Sequence, residues 1–255
     1  MEYGIVSVPA APVRRKPAHR REMVNQLLFG EKIKLLKTKG DLWVKVCSLH
    51  DGYEGWMTNT MIQYIDKKEA LAKDNFVATE MLGNISINGK SMMIPVGSSL
   101  PSLSNEKGKL GDSIFEFTGK FVNREEQKPS GELLHQLTQP WLNAPYMWGG
   151  RTPLGIDCSG FVQIIFKQMG IDMPRDAWQQ AQEGKPVKKL SDVKTGDLVF
   201  FDNKESIVHV GMLLNNGQLI HSSGKVRIDD IDKRSLINSE TGKRGWGLKA
   251  IRRLW

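Results

Sequence analysis

The chain has 255 residues, of which 40% are hydrophobic and 25% are charged. This composition is that of a folded globular protein, and the length allows one large domain or two to three small ones. It contains no apolar run of about 18 residues, so we expect no transmembrane helix. Lysine and arginine outnumber aspartate and glutamate by 36 to 28, which leaves a net charge of +8.

A positive net charge favours contact with anionic polymers, either cell-wall polymer or nucleic acid. The basic residues are scattered apart from one cluster between Arg14 and Arg21, so we interpret them as a basic surface and predict no nucleic-acid partner. The first residues lack the order of a secretory signal, because prolines break the apolar stretch from Gly4 to Val13 and its positive charges follow it. We therefore expect a cytoplasmic protein or, alternatively, a periplasmic or exported one whose signal has been removed.

Residues 1–66 are predicted to form a small all-β domain. Short segments of alternating polarity are separated by glycine-containing turns, at Lys32–Leu36, Trp43–Cys47 and Gly55–Thr58. About five or six strands in so short a segment make a small barrel. The run from Val13 through GEKIKLL, DLWVKV and DGYEGWM resembles a bacterial SH3-like domain.

Residues 67–126 continue the all-β pattern. The segment Ile85–Met92, ISINGKSM, carries an Asn-Gly pair of the kind that forms a type I′ hairpin turn, and Asp112–Phe117 alternates like another strand. From its position and length we predict a second, divergent SH3-like domain. The hydrophilic segment Asn123–Gly131 is interpreted as a linker.

The third domain is predicted over residues 127–255. It opens with a helix whose apolar stripe includes Leu134 and Trp141 and whose N-cap is Ser130. A second helix carries Cys158, and a third is expected from Asp176 to Glu183. Three or four strands then run from Leu198 to Ser222, before an aromatic, basic tail. Helices followed by an antiparallel sheet indicate an α+β domain.

Cys158 lies where a loop is expected to become a helix. In Tyr146–Met169, YMWGGRTPLGIDCSGFVQIIFKQM, a glycine-rich and proline-containing loop precedes an apolar pattern of helical spacing, and Gly170 is a stop signal. The unpaired N–H groups and the dipole of a helix N-terminus lower a thiol pKa. We predict that Cys158 is a nucleophile; the alternative is a small buried hydrophobic residue.

A nucleophilic thiol needs a base, and His209 and His221 are the histidines that follow it in the chain. Their segment, SIVHVGMLLNNGQLIHSSG, reads as two strands joined by a turn at Asn215–Gly217. A two-residue loop would point the histidines to opposite faces of the sheet. A loop of three residues, or an equivalent bulge, sets Gly211 opposite His221 and brings both histidines to one face, and we predict this register.

In that register His209 would take the proton of Cys158, and His221 would hold the imidazole of His209 in the useful tautomer. Cysteine and histidine also bind zinc, so these three residues could instead be zinc ligands. The sequence lacks the short C-x-x-C or H-E-x-x-H spacing that announces such a site, so we predict neither a metal nor an organic cofactor. Since a disulfide would block the nucleophile, Cys47 and Cys158 are predicted to be free thiols.

Linked motifs in the C-terminal half resemble the NlpC-type family of papain-like bacterial cell-wall endopeptidases in both order and spacing. The motifs are Tyr146, WGG at Trp148, DCSGF at Asp157, PRD at Pro174, GDLVFF at Gly196, HVGM at His209, and His221. The resemblance implies a papain-like α+β fold. It also implies that Tyr146 lines the active site, where its phenol supports the oxyanion beside the N–H of Cys158, and that Asp157 and Ser159 contact substrate. As an alternative, Asp157 or Ser159 caps the cysteine helix.

Relatives with N-terminal SH3-like domains release L-Ala-γ-D-Glu from short muropeptides and hold the free amine with two acidic groups. By this resemblance Asp176 is one acid and Glu54 the other, with Trp56 or Tyr64 as an aromatic wall. For Asp176 the simple alternative is a helix cap. A buried ammonium requires paired carboxylates, which would reject an acylated amine.

The sequence thus predicts a monomeric cysteine peptidase that cleaves the γ-D-Glu–diamino acid bond of peptidoglycan-derived peptides. Two alternatives stay open: an acyltransferase or amidase on the same core, and a non-catalytic wall-binding protein.

Overall fold

A computed structural model describes residues 2–215 and 217–255. They form two compact units. The first comprises Met1–Gln127 with Trp148–Pro153, and the second comprises Lys128–Met147 with Leu154–Trp255. The predicted domain boundaries at 66/67 and 126/127 stay predictions. None of the helices in the described ranges combines the length and the hydropathy that a membrane crossing requires.

Over its described residues the first unit is built mostly from strands, with one short α-helix, α1 (Lys67–Leu71). Its strands are β1 (Tyr3–Val6), β2 (Ala10–Arg14), β3 (Met23–Leu28), β4 (Lys32–Lys39), β5 (Trp43–Ser48), β6 (Glu54–Thr58), β7 (Ile62–Ile65), β8 (Phe76–Ala78), β9 (Leu82–Ile87), β10 (Lys90–Pro95), β11 (Lys107–Leu110), β12 (Ser113–Phe117), β13 (Phe121–Asn123) and β14 (Arg151–Thr152). They form a seven-stranded sheet in the order β3-β2-β6-β5-β4-β1-β7, a four-stranded sheet β10-β9-β12-β11, and the pair β13-β8.

Alternating burial along these strands produces two hydrophobic clusters in the first unit. In β5 every second residue is buried, so Val44 and Val46 reach a core that also contains Val13 and Ile33. The second cluster centres on Phe115 and Phe117 of β12, but it also takes in Ile5 and Phe29 from the N-terminal segment.

The predicted Asn-Gly hairpin is present between β9 and β10. Ile87 pairs with Lys90, and the two loop residues Asn88 and Gly89 have φ angles of +49° and +76°. Positive φ at both central positions is the requirement of a type I′ turn, which confirms the prediction.

A buried ion pair fixes the segment Trp148–Pro153 within the first unit. Arg151 donates to both carboxylate oxygens of Glu31 at 2.7 and 2.9 Å, and both side chains are almost completely buried. The same carboxylate accepts the backbone N–H of Leu28 at 2.9 Å, while Arg151 also donates to the carbonyl of Gln26 at 2.8 Å. The charge of Glu31 is therefore neutralised by a guanidinium in bidentate geometry.

In the part of the second unit that the structure describes, three α-helices combine with an antiparallel sheet, in the α+β order that the sequence predicts. The helices are α2 (Gly131–Thr138), α3 (Cys158–Gln168) and α4 (Ala177–Gln180). The strands are β15 (Gly155–Ile156), β16 (Lys185–Pro186), β17 (Leu198–Asp202), β18 (Ile207–Asn215), β19 (Gln218–Ser223), β20 (Lys225–Ile231), β21 (Ser235–Ile237) and β22 (Arg244–Arg253). The sheet order is β16-β22-β17-β18-β19-β20-β21, and β21 also pairs with β22.

The predicted helix starts are largely correct. The Ser130 hydroxyl accepts the N–H of Leu133 at 3.1 Å and caps α2 as expected. Helix α3 begins at Cys158 and ends before Gly170, whose φ of +82° suits glycine. Helix α4 is shorter than predicted, because only Ala177–Gln180 is helical.

The C-terminal tail differs from the sequence interpretation, which assigned no strand there. It forms β22 and pairs with β17, which is apolar from Leu198 to Phe201 and whose other neighbour is β18. Residues Leu198 to Phe201 are completely buried, and a strand buried on both faces needs a hydrogen-bonding partner along each edge. The tail provides that partner.

Candidate active site

Cys158 is the first residue of α3 and lies next to the strand that carries His209. The Asp157 carboxylate caps the helix by accepting the N–H of Gly160 at 2.7 Å. Helix α3 packs on β18 and β19, and the backbone N–H of Val210 lies close enough to the Cys158 thiol to lower its pKa. The helix therefore brings the sulfur to the strand position directly after His209.

Asp157 and Ser159, which flank the cysteine in the chain, both accept hydrogen bonds from a buried arginine. Arg175 donates to Asp157 Oδ1 at 3.0 Å and to the Ser159 hydroxyl at 2.9 Å. The guanidinium is only 1% exposed, so this ion pair is part of the interior. The capping alternative for Asp157 is thus observed, and the substrate-contact roles of Asp157 and Ser159 stay predictions.

The expectation of a lowered thiol pKa is wrong for the resting protein. Burial, followed by the negative charge of Asp157, raises the pKa of Cys158 to about 12. The hydrogen bond from Val210 and the charge of Arg175 oppose this rise but are smaller. Desolvation therefore outweighs the helix terminus, and the thiol needs a base to become a thiolate.

The histidine hairpin adopts the register that places both rings together. Met212 pairs with Ile220 and Leu213 with Leu219, and a register shift before the pair Asn215 and Gln218 accommodates one extra residue in β18. This bulge is the equivalent that the sequence predicts. Continuing the pairing sets Gly211 opposite His221, and a Cβ on Gly211 would approach the His221 Cβ to 3.0 Å. Asn216 of the predicted turn lies outside the described residues.

The two imidazoles are in direct contact and shielded from water. His209 Nε2 and His221 Nδ1 are 2.8 Å apart, and the rings meet at an interplanar angle of 86°. His209 is 2% exposed and His221 is completely buried. The two histidines therefore lie together as the sequence predicts, and the role of His221 in holding the tautomer of His209 stays a prediction.

Asp229, which the sequence analysis did not identify, lies beyond His221. Its Oδ2 atom is 3.0 Å from His221 Nε2 and also accepts Arg227 Nε at 3.0 Å. Its Oδ1 atom accepts the backbone N–H and the hydroxyl of Ser239 at 3.1 and 3.0 Å. Burial alone would raise the pKa of Asp229. These hydrogen bonds outweigh burial and hold that pKa well below its usual range.

The line of hydrogen bonds determines the positions of the protons. An ionised carboxylate only accepts, so His221 donates from Nε2 to Asp229. Burial lowers the pKa of both His221 and His209, so both rings are neutral. Neutral His221 therefore accepts at Nδ1 from His209 Nε2–H, which leaves Nδ1 of His209 unprotonated and able to act as a base.

Comparison with known proteins agrees with this site. Residues 143–244 match the family model described as NlpC/P60 family, and residues 13–62 match the bacterial dipeptidyl-peptidase Sh3 domain. A gamma-D-glutamyl-L-lysine dipeptidyl-peptidase of Bacillus subtilis (strain 168) is 35% identical over 77% of this chain and 71% of its own length. The chain belongs to the NlpC/P60 family. It is accordingly an enzyme, a cysteine peptidase of that family.

A second relative agrees with the assignment to the NlpC/P60 family, and a solved structure shares the fold. The gamma-D-glutamyl-L-lysine dipeptidyl-peptidase of Bacillus cereus (strain ATCC 10987) is 30% identical over 79% of this chain and 67% of its own. The crystal structure of an NlpC/P60 family protein from Bacillus cereus ATCC 10987 superposes with a TM-score of 0.83 at 24% identity. It covers 98% of this chain and 99% of that one, so the two share a fold.

Tyr146, which the resemblance to the NlpC/P60 family assigns to the site, carries a protonated phenol, and its role there stays a prediction. Its backbone N–H donates to the carbonyl of Gly224 at 3.0 Å, which fixes the chain beside β19. Burial raises the pKa of Tyr146, and negative charge on Cys158 raises it further. The phenol therefore lies within electrostatic reach of the sulfur and keeps its proton for donation.

The two predicted amine-binding acids lie in different units of this NlpC/P60 protein. Glu54, at the start of β6, forms an ion pair with Lys45 in the first unit. Asp176, in the second unit, is the N-cap of α4, and its N–H donates to Gln179 Oε1 at 3.1 Å. Their joint role in amine binding stays a prediction, as do the aromatic walls Trp56 and Tyr64.

Trp246 is a further residue at this NlpC/P60 site that sequence reasoning missed. Its indole stacks on His209 with ring centroids 4.4 Å apart and an interplanar angle of 29°. Trp246 belongs to β22, so no local signal connects it with the histidine hairpin. The position of the tryptophan becomes evident once β22 is seen to pair with β17.

Neither cysteine forms a disulfide: Cys47 is half-buried and Cys158 is buried, and both are free thiols as predicted. Within the described ranges, no group of three or more histidine, cysteine, aspartate or glutamate side chains is arranged to hold a metal ion.

Proposed function

We propose that this enzyme hydrolyses the amide bond between γ-D-glutamate and a diamino acid in cell-wall peptides and releases L-Ala-γ-D-Glu. The observation that carries the proposal is the buried line His209, His221 and Asp229, which leaves an unprotonated imidazole nitrogen beside the strand position that contacts the Cys158 thiol. The names of both relatives supply the class of bond.

In the acylation step, His209 Nδ1 removes the thiol proton and the sulfur attacks the γ-carbonyl carbon of D-glutamate. Because the pKa of Cys158 is about 12, thiolate and imidazolium form together as substrate excludes water. The oxyanion is held by the backbone N–H of Cys158 and by the protonated Tyr146 phenol. These donors act where negative charge develops.

Collapse of the intermediate breaks the carbon–nitrogen bond. The imidazolium of His209 gives its proton to the leaving amine of the diamino acid, and neutral His209 then activates a water molecule that hydrolyses the thioester. Through both steps His221 remains hydrogen-bonded to Asp229 and keeps His209 oriented. The proton balance closes, because the thiol is regenerated when the dipeptide acid leaves.

Selectivity for a free N-terminal L-Ala is attributed to the carboxylates of Asp176 and Glu54. A desolvated ammonium needs paired carboxylates, and N-acetylation would remove the positive charge that the two acids bind. We expect this mismatch to cost about 10²-fold or more in kcat/KM. Lys45, the observed partner of Glu54, would release it when the ammonium binds.

The test is mass spectrometry of L-Ala-γ-D-Glu-L-Lys and of the corresponding diaminopimelate peptide after incubation with the enzyme. Release of L-Ala-γ-D-Glu from the free peptides, but not from their N-acetylated forms or by the Cys158→Ala variant, is the expected result. Cleavage of acetylated peptide at the same rate would contradict the amine-binding assignment. No cleavage of any peptide would contradict the proposed function, and transfer to an added amine would identify an acyltransferase.

A further inference from the structure

We propose that Trp246 is a positioning residue that sets the proton affinity of His209: its indole face stabilises the imidazolium that forms when Cys158 gives up its proton. This inference rests on the proposed role of Cys158 and His209. It goes beyond that role by assigning a function to the C-terminal strand β22, which contributes no nucleophile, base or substrate-binding acid.

The geometry is that of a stacked cation–π pair. The centroid of the His209 ring lies 4.4 Å from that of Trp246, and the planes differ by 29°. A cation within about 6 Å of an indole centroid is attracted by the negative face of the ring, and tryptophan provides the strongest such face. When His209 is neutral, its stack on Trp246 is an ordinary aromatic contact. The cation–π attraction is therefore present only when His209 is protonated.

The surroundings of His209 explain why this attraction matters. The groups that act on it are neutral His221, ionised Asp229, cationic Arg227 and Phe201, whose ring centroid is 6.0 Å away. Burial, followed by electrostatic repulsion from protonation at His221 and from the charge of Arg227, lowers the pKa of His209, and Asp229 compensates only in part. A further source of positive-charge stabilisation is therefore needed beside the ring, and the indole provides it.

Trp246 also separates His209 from solvent. The tryptophan is 36% exposed and His209 is 2% exposed, so the indole covers one face of the imidazole and is itself partly in contact with water. A leucine at this position retains much of the cover but has no π face. Comparison of leucine with phenylalanine therefore separates shielding from cation–π stabilisation.

The experiment measures alkylation of Cys158 by iodoacetamide as a function of pH, in a Cys47→Ser background so that one thiol reports. The alkylation rate follows the thiolate population, which depends on formation of the His209 imidazolium. We expect Trp246→Leu to lower the rate near pH 7 by about 5- to 30-fold, and Trp246→Phe to recover most of it. Trp178→Leu, at an exposed tryptophan of α4, is the matched control and should leave the rate unchanged.

The pH profile gives a second readout that packing alone would not move. In a Cys158→Ala background, the NMR titration midpoint of His209 should fall in Trp246→Leu and lie between the leucine and parent values in Trp246→Phe. Equal alkylation rates or equal midpoints in the leucine and parent proteins would overturn the proposal, as would equal losses in leucine and phenylalanine variants. If Trp246→Leu loses its cooperative unfolding transition, Trp246→Met replaces it, and the midpoint in Trp246→Phe must still lie below the parent value.

These measurements need no peptide substrate. A protein that cleaves none of the proposed peptides, but whose Cys158 alkylation responds to Trp246 as described, would contradict the substrate assignment and retain the role of Trp246. Conversely, cleavage of the peptides with alkylation unaffected by Trp246 would retain the proposed function and contradict this inference.

Discussion

Each unit of the molecule buries a carboxylate, and the partners of the two carboxylates differ. In the first unit, Glu31 receives two hydrogen bonds from Arg151 and one from a backbone N–H. In the second, Asp229 receives hydrogen bonds from Arg227, Ser239 and His221. Both satisfy the rule that a buried charge must be paired.

The difference lies in which partners can change their protonation state. Arginine keeps its proton at any ordinary pH, so the Glu31 pair can only hold the chain in place. Histidine is a donor or an acceptor at each nitrogen, so Asp229 selects a tautomer of His221 and, through it, of His209. The same electrostatic requirement thus produces an anchor in one unit and a directed proton path in the other.

The largest expected effect follows from breaking the proton path at Asp229. Asp229→Ala removes the acceptor that orients His221, so His209 is no longer held with Nδ1 unprotonated, and kcat/KM should fall by about 10²- to 10⁴-fold. ¹⁵N NMR of the histidine rings should show mixed tautomers where the parent shows one. Asp230→Ala, on the neighbouring and exposed position of β20, is the control. Parent-like tautomers and activity in Asp229→Ala would exclude the relay.

Breaking the anchor should affect stability rather than chemistry. Glu31→Ala leaves the Arg151 charge buried without its partner, so the free energy of unfolding of the first unit should fall by about 3–5 kcal/mol in urea titrations. The double variant Glu31→Leu with Arg151→Met removes both charges and should recover most of that loss. A double variant as unstable as the single one would show that the hydrogen bonds to Gln26 and Leu28, and not the unpaired charge, dominate.

Features of the site that depend on local strand patterns could be predicted from the sequence. The hairpin register was predictable because strand alternation has period two and the two possible loop lengths gave opposite faces for His221. Asp229 carried a signal that was not used: a turn at Gly224 sets His221 opposite Arg227, and Asp229 is then the diagonal neighbour on the same face. The pattern was local and was available from the sequence.

Other features depend on contacts that no local pattern encodes. Trp246 reaches His209 through the pairing of β22 with β17, which joins distant segments of the chain. Arg175 is almost completely buried although arginine is usually exposed, so its pairing with Asp157 was not anticipated. The thiol pKa was misjudged for the same reason, since burial depth at Cys158 depends on the packing of α3 against the sheet.

Acidification should lower the free energy of unfolding of the second unit, because that unit buries two neutral histidines. The pKa values of folded His209 and His221 lie below the ordinary histidine value, so below pH 6.5 the unfolded chain binds protons that the folded unit does not. Stability is therefore lost as pH falls from about 6.5 toward the folded pKa values, by up to about 1.4 kcal/mol per histidine per pH unit. Asp229, whose pKa is lowered, keeps its contribution until the pH approaches 4. Urea unfolding of the second unit at pH 7 and pH 5 measures this, and equal free energies would contradict two buried neutral histidines.

A pair of glycines gives the smallest and most local test of the comparison. Gly89, in the first unit, has a φ of +76° with open space around it, so Gly89→Ala should cost about 1 kcal/mol of stability through backbone strain and leave activity unchanged. At Gly211, in the second unit, an added Cβ would approach Leu219 Cδ2 to 2.5 Å and His221 Cβ to 3.0 Å. Gly211→Ala should therefore destabilise by about 1–3 kcal/mol and also lower kcat/KM, because the strain falls on the strand that holds His221. Thermal unfolding and peptide hydrolysis are measured for both variants. An unchanged kcat/KM in Gly211→Ala would show that the histidine pair tolerates displacement of its strands.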